Sequence, residues 1–255
     1  YQDFLESKKK TVTESGFEAS EINPMLFPFQ THIVKRALKA GKFAIFADCG
    51  LGKTFMQLEW ARKVIEFTKE PVLILAPLAV VGQTIKEGIK FGIHLQELVV
   101  NAPVFGPGLY ITNYEQLENI NVDQFSGIVL DESSILKNFE GATKNLIIEK
   151  FQSTPYKLAC TATPSPNDPM ELCNHAEFLN VMSRTEMLAM YFVHDGGETA
   201  KWRIKGHAKK EFYRFVGTWA TMLNKPQDIG FEMTGYALPE IQFIEKHIKT
   251  EQRDN

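Results

Sequence analysis

The sequence predicts an α/β fold in which a mainly parallel sheet is flanked by helices. Three observations carry that reading. Apolar runs of strand length, at 43–46, 72–76, 109–112, 127–130 and 156–160, alternate with segments of helical period. The run at 72–76 is apolar throughout, as a strand covered on both faces is. The first run opens into Ala-Asp-Cys-Gly-Leu-Gly-Lys-Thr at 47–54 and then a helix-period stretch, the order of elements by which a backbone loop and a helix N-terminus grip phosphate.

Taken in order, residues 1–24 are polar and mixed, with Lys8, Lys9 and Lys10 in a row, and read as a solvated lead-in or an initial helix. Next come Leu26 to Gln30 and a helix-period run through Ile33, Val34, Ala37 and Leu38, which stops at Gly41. The Gln30 amide offers one donor and one acceptor, which matches the N6/N7 edge of adenine; in isolation Gln30 reads as a helix-start residue, and the loop downstream favours adenine. In that loop Gly50 and Gly52 permit the tight turn, so that the backbone of Cys49, Gly50, Leu51 and Gly52 faces the phosphates. Lys53 then reaches the β- and γ-phosphates of ATP, and the Thr54 hydroxyl sits on Mg²⁺. The bland alternative is a tight turn that happens to contain Gly-Lys-Thr.

Pro71 ends the following helix, Val72 to Ala76 form the next strand, and Pro77 ends it. A helix to about Lys90, a short apolar Leu98-Val99-Val100, a turn-rich 103–108 and the strand from Leu109 continue the repetition, which implies right-handed crossovers. Gly127 to Ser134 places Asp131 and Glu132 at the carboxyl end of a buried strand, where open α/β sheets bind ligands. Asp131 then holds Mg²⁺, and Glu132 orients or deprotonates the attacking water; an acidic helix cap is the bland alternative. The strand over 156–160 leads to Thr161 and Thr163, whose hydroxyls can reach those carboxylates.

Composition bounds the class. The 255 residues are 44% hydrophobic and 23% charged, globular material for one large domain, or one with an appendage. With a net charge of −3, any nucleic-acid contact must come from a local basic surface. Three scattered cysteines, Cys49, Cys160 and Cys173, do not make a disulfide framework and point to a reducing cytoplasm. The sequence shows no signal peptide and no apolar run that would cross a bilayer, so a soluble protein without a membrane partner is expected. It begins at Tyr1, as a fragment would.

Six segments together resemble superfamily-two helicase-type ATPases, specifically the Swi/Snf-like branch. They are Phe-Pro-Phe-Gln at 27–30, Asp-Cys-Gly-Leu-Gly-Lys-Thr at 48–54, Leu-Ala-Pro-Leu at 75–78, Ile-Thr-Asn-Tyr-Glu at 111–115, Leu-Asp-Glu-Ser-Ser-Ile-Leu-Lys-Asn at 130–138 and Leu-Ala-Cys-Thr-Ala-Thr-Pro at 158–164. Asp-Glu-Ser-Ser replaces the commoner Asp-Glu-Ala-His, a variant associated with phage and bacterial members. It leaves Asp131 and Glu132 in role but removes a histidine that often couples this motif to Thr-Ala-Thr. The resemblance implies a first RecA-like lobe over 25–180 that binds ATP, with Pro77, Thr112 and Asn113 toward nucleic acid, in a bacterial or phage-infected cell. It also implies a second lobe, absent from this chain, that supplies an arginine finger and the rest of the track.

Past Leu179 the alternation of strand and helix is expected to end, and 181–255 reads as a helical, aromatic appendage and the start of a linker. Within it Lys201, Arg203 and Lys205 alternate with Trp202 and Ile204. As an extended strand this is a basic stripe backed by an apolar face; it follows a DNA backbone or simply defends a sheet edge with lysine. The functional expectation is the ATP-binding lobe of a DNA-dependent ATPase that moves along duplex DNA. A nucleotide-dependent adaptor without turnover is the alternative.

Overall fold

The computed structural model describes residues 12–100, 102–137, 141–194, 202–232 and 244. Pro28–Ala40 forms helix α1, with proline in the first turn where no N–H is needed, and Gly41 closes it at φ 77°. Strand β1 (Lys42–Ala47), helix α2 (Lys53–Thr68), strand β2 (Val72–Ala76) and helix α3 (Leu78–Lys90) follow. Then come β3 (Leu95–Glu97), β4 (Leu109–Asn113), β5 (Gly127–Asp131), α4 (Ala142–Lys150) and β6 (Tyr156–Thr161). The last described stretch contains α5 (Leu172–Phe178), α6 (Arg184–Tyr191), β7 (Phe192–His194), β8 (Trp202–Ile204), α7 (Lys209–Trp219) and β9 (Ala220–Leu223).

Seven strands form one sheet in the order β3-β4-β2-β5-β6-β1-β9, and every pairing in it is parallel. Alternate residues feed opposite faces, as strand geometry requires. Phe43 and Ile45 of β1 pack with α1, α2 and α3, whereas Ala44 and Phe46 pack with α4, α5, α6 and α7. The predominantly apolar strands are thus explained by helices on both sides. The order puts β1, β6 and β5 side by side, so the loops that leave their carboxyl ends open onto one edge.

Three expectations are corrected. The short strand beyond α3 is Leu95–Glu97, not 98–100; as an edge strand it has only β4 to pair with, and solvent-facing Gln96 and Glu97 are tolerated there. The lead-in is not merely solvated: the N–H groups of Ser15, Gly16 and Phe17 donate to the last carbonyls of α1 at 3.0–3.2 Å. Gly16 is required there, because a Cβ would collide with the Leu38 carbonyl. Phe17 stacks on Phe67 at 4.1 Å. The run Lys8–Lys10 lies outside the described residues.

The third correction concerns the alternation expected to end near Leu179. The chain returns to the sheet: β9 pairs with β1 from Ala44↔Ala220 to Ala47↔Leu223. Arg36 of α1 fixes the return, donating to the Gly217 carbonyl and to Thr221 Oγ1 and lying over the Phe43 ring at 5.1 Å. Residues 209–223 are therefore part of the same layered body. On the opposite edge from the β1 loop, buried Lys157 donates to the Phe178 carbonyl at 2.9 Å and to Asn180 Oδ1 at 3.3 Å. That caps α5 with a cation, and burial, with Lys42 beside it, lowers the ammonium to about 7.

Candidate active site

The turn between β1 and α2 is built on two left-handed glycines, Gly50 at φ 82° and Gly52 at φ 74°, a conformation glycine adopts without Cβ strain. At Gly52 a side chain would also strike the Gln30 amide. Leu51 is buried in the core below and its carbonyl accepts from Gln30 Nε2 at 3.0 Å. Gln30 Oε1 accepts from the Phe27 N–H at 2.9 Å. Gln30 thereby ties the loop to α1, and each end of its amide keeps one further hydrogen-bonding position, the pair an adenine edge would need. Cys49 is exposed, and its N–H donates to Asp48 Oδ1 at 2.7 Å. Lys53 Nζ donates to the Ala47 carbonyl at 2.8 Å and to the Asp48 carbonyl at 3.1 Å, so the ammonium lies folded across the mouth of the loop. Thr54 is half-buried one residue further along α2.

Two strands away, β5 ends in Asp131, and Glu132 follows with φ 55°. A non-glycine residue there stores about 1–3 kcal/mol of strain, which persists only where neighbours over-determine it. They do so here. The Tyr114 hydroxyl donates to the Asp131 carbonyl at 2.7 Å, and the Glu132 N–H donates to Asp131 Oδ1 at 3.1 Å. On the far side, Ser133 Oγ shares a 3.1 Å hydrogen bond with His175 Nε2, and Asn174 Nδ2 donates to the Leu136 carbonyl at 2.7 Å. Between them, Glu132 Oε1 accepts from Thr161 Oγ1 and from Ser134 Oγ, each at 2.7 Å. The Thr163 N–H donates to Thr161 Oγ1 at 3.0 Å, which orients that hydroxyl toward the carboxylate.

The electrostatics are of a site short of positive charge. Burial raises the Asp131 carboxyl above its ordinary value and the adjacent Glu132 pushes the same way, while Gln57, the Glu132 N–H and Lys53 hold it down. Burial, with Asp131 and Glu132 close by, lifts the Tyr114 phenol well above its usual range, so it remains a donor. Burial drops His175 to about 4; the ring is neutral at physiological pH and stands edge-on to Phe46 at 5.1 Å. Gln57 of α2 is fully buried and neither amide atom has a geometrically closed hydrogen bond among the described residues, although it faces Asp131 closely enough to favour its ionised form. The buried Asp131 carboxylate, with Gln57 and Lys53 favouring its ionised form, is a hard oxygen donor suited to a cation such as Mg²⁺, which takes one or two protein carboxylates and leaves its other positions to hydroxyl, water and phosphate. The residues fit that group.

The remaining predicted positions lie around this centre. Pro77 caps α3 at the end of β2. Thr112 is buried at the end of β4, and the Asn113 side chain accepts from the Gln116 N–H at 3.1 Å; all three share the carboxyl edge of the sheet with Asp131. Trp202, Arg203 and Ile204 form a strand antiparallel to β7, with Trp202 and Ile204 packed on the core and Arg203 exposed. Lys205 Nζ donates to the carbonyls of Ala189 and Met190 at 2.8 and 3.2 Å, closing the end of α6. Lys201 lies outside the described residues. Sequence reasoning missed Tyr114, Ser134, Gln57 and His175 as parts of the centre; the first two stand inside quoted motifs, whereas nothing local marks the others.

An all-parallel sheet with a glycine turn after its first strand and paired carboxylates two strands away defines a RecA-like α/β lobe. No family model matches the chain. DNA annealing helicase and endonuclease ZRANB3 of Mus musculus is 26% identical over 189 residues, 67% of this chain and 17% of that protein. The SWI2/SNF2 ATPase core of Sulfolobus solfataricus in complex with double-stranded DNA matches with a TM-score of 0.66 at 20% identity, over 82% of this chain and 46% of its own. The UvsW helicase of bacteriophage T4 matches at 0.51 and 15% identity, over 71% of this chain and 65% of its own. The chain thus spans about half of the SWI2/SNF2 core and under a fifth of the mouse relative. Motif order, sequence relative and fold agree: the chain is similar to the first RecA-like lobe of Swi/Snf-like superfamily-two ATPases. Among the described residues no helix is long and apolar enough to cross a membrane.

Proposed function

We propose that this chain is the ATP-binding lobe of a DNA-dependent ATPase of the helicase and translocase type, in which hydrolysis drives movement along duplex DNA. The observation that supports it best is one edge of the sheet on which the 48–52 loop, Lys53, the Asp131–Glu132 pair and Thr161 come together. Backbone N–H groups of the loop and the start of α2 hold the phosphates. Lys53 leaves its two carbonyls for the β- and γ-phosphates, and Gln30 receives the adenine edge. Thr54 and Asp131 would hold Mg²⁺, which when bound neutralises charge on the phosphates. Glu132 orients the attacking water and takes its proton, with Thr161 linking this event to the 161–163 segment. Duplex DNA is supported by the solved Sulfolobus complex with double-stranded DNA, and DNA more generally by the name of the mouse relative. Pro77, Thr112, Asn113 and Arg203 are the candidate contacts, and a second RecA-like lobe completes the track and supplies the arginine finger.

Lys53→Ala tests the centre of this reading. Titration calorimetry with ATP and Mg²⁺ is expected to show binding to the wild-type chain and loss of at least ten- to a hundredfold in affinity for the variant, the scale of one buried charge-assisted contact. Unchanged affinity, with native circular dichroism, rules out the 48–54 loop as the phosphate site.

A further inference from the structure

We infer that Ser134 is a positioning residue that, together with Thr161, clasps one oxygen of Glu132 and aims the other at the attacking water; this rests on the reading of Glu132 as the residue that orients that water. Both hydroxyls reach the same atom, Oε1, at 2.7 Å. Two donors on one oxygen, from different segments, fix both the position of the carboxylate and its rotation about the last side-chain bond. Oε2 has no protein partner among the described residues, so the lone pairs left for a water belong to it.

The backbone shows why residue 134 can do this. With φ 55° at Glu132, the chain reverses just after β5, and the Ser134 hydroxyl returns to the carboxylate two residues earlier. The reversal is pinned before the bend by Tyr114 on the Asp131 carbonyl and after it by His175 on Ser133. Neither serine of the tetrad is therefore a passive spacer: Ser133 anchors the turn from below and Ser134 sets the carboxylate above it. The arrangement differs from Thr161 alone, since a single hydroxyl would leave the carboxylate free to rotate about its one hydrogen bond.

The test has two arms. In the first, the unliganded chain is unfolded in urea as wild type, Ser134→Ala, Glu132→Ala and the double variant. The Ser134→Ala shift in midpoint is expected to vanish in the Glu132→Ala background; an equal shift in both backgrounds overturns the clasp. In the second arm, single-turnover hydrolysis of ATP with Mg²⁺ is followed with protein in excess. Ser134→Ala is expected to slow the plateau rate about tenfold, the scale of one hydrogen bond to an ionised group, while the half-saturating protein concentration stays constant. Ser134→Thr, which keeps the hydroxyl, is expected to restore the rate. A Ser134→Ala defect in half-saturation alone, or no rescue by threonine, overturns the positioning role. A wild-type chain that binds ATP and shows no Glu132-dependent hydrolysis overturns the role of Glu132 itself, and it does so whatever the unfolding arm shows, which keeps the two failures apart.

Discussion

Cys49 stands exposed in the turn while Cys160 and Cys173 are buried, and that contrast makes a chemical probe of the proposed phosphate site. Burial pushes the Cys160 thiol well above its ordinary value and Cys173 to about 12, so neither supplies thiolate at neutral pH. Alkylation at pH 7.5–8 is therefore expected at Cys49 first, and ATP with Mg²⁺ should slow it at least severalfold by covering the turn. Peptide mass spectrometry resolves the three positions. Alkylation of Cys49 at the same rate with and without ATP would separate the turn from the nucleotide. At this scale the sequence was informative where chemistry is local: Gly50, Gly52, Lys53, Asp131 and Glu132 are recognisable because a tight phosphate turn and a pair of carboxylates need particular residues at short spacing. It was silent on His175 and Gln57. A histidine on α5 acquires its place beneath Ser133 only when α5 packs under the turn, a contact across 42 residues of chain.

The same contrast holds for elements. Strands β1, β2, β4, β5 and β6 were legible because helices cover both faces and leave predominantly apolar runs. Strand β9 was not, because Ala-Thr-Met-Leu is short, follows directly on an amphipathic helix and leaves Met222 exposed. It becomes a strand by docking beside β1, with Arg36 holding its helix in place. The β7–β8 hairpin falls between these cases: alternation placed Arg203 opposite Trp202 and Ile204 correctly, but could not show that the Lys205 ammonium closes α6. Each of these two cations has its own test. Lys205→Glu removes two charge-assisted hydrogen bonds and sets a carboxylate against carbonyl oxygens, and is expected to cost about 1–3 kcal/mol in urea unfolding. Arg203→Glu is expected, if the hairpin follows DNA, to flatten the dependence of log affinity on log salt by about one to two. Fluorescence anisotropy on duplex DNA over a salt series measures this. An unaltered slope for Arg203→Glu would leave the hairpin as a guarded sheet edge.

At the scale of the molecule, the site occupies one open edge of a single lobe, and its positive charge is thin: among the described residues, Lys53 is the one cation that holds the Asp131 carboxyl down. Phosphoryl transfer spreads negative charge over the transferred group, and an arginine finger contributes roughly 10³–10⁵ in rate. Under the proposed function that finger comes from a second lobe. The chain alone is therefore expected to bind ATP yet hydrolyse it slowly, on the order of 10³-fold or more below a two-lobed relative assayed with duplex DNA. The comparison requires a verified monomer, because a second copy could donate an arginine in trans. Brisk turnover by the monomer would place the missing charge within this chain, at Arg184 of α6 or Arg203 of β8. Replacing each with alanine would then separate them, since only the arginine that reaches the transferred phosphoryl group should lower the plateau rate without altering ATP affinity.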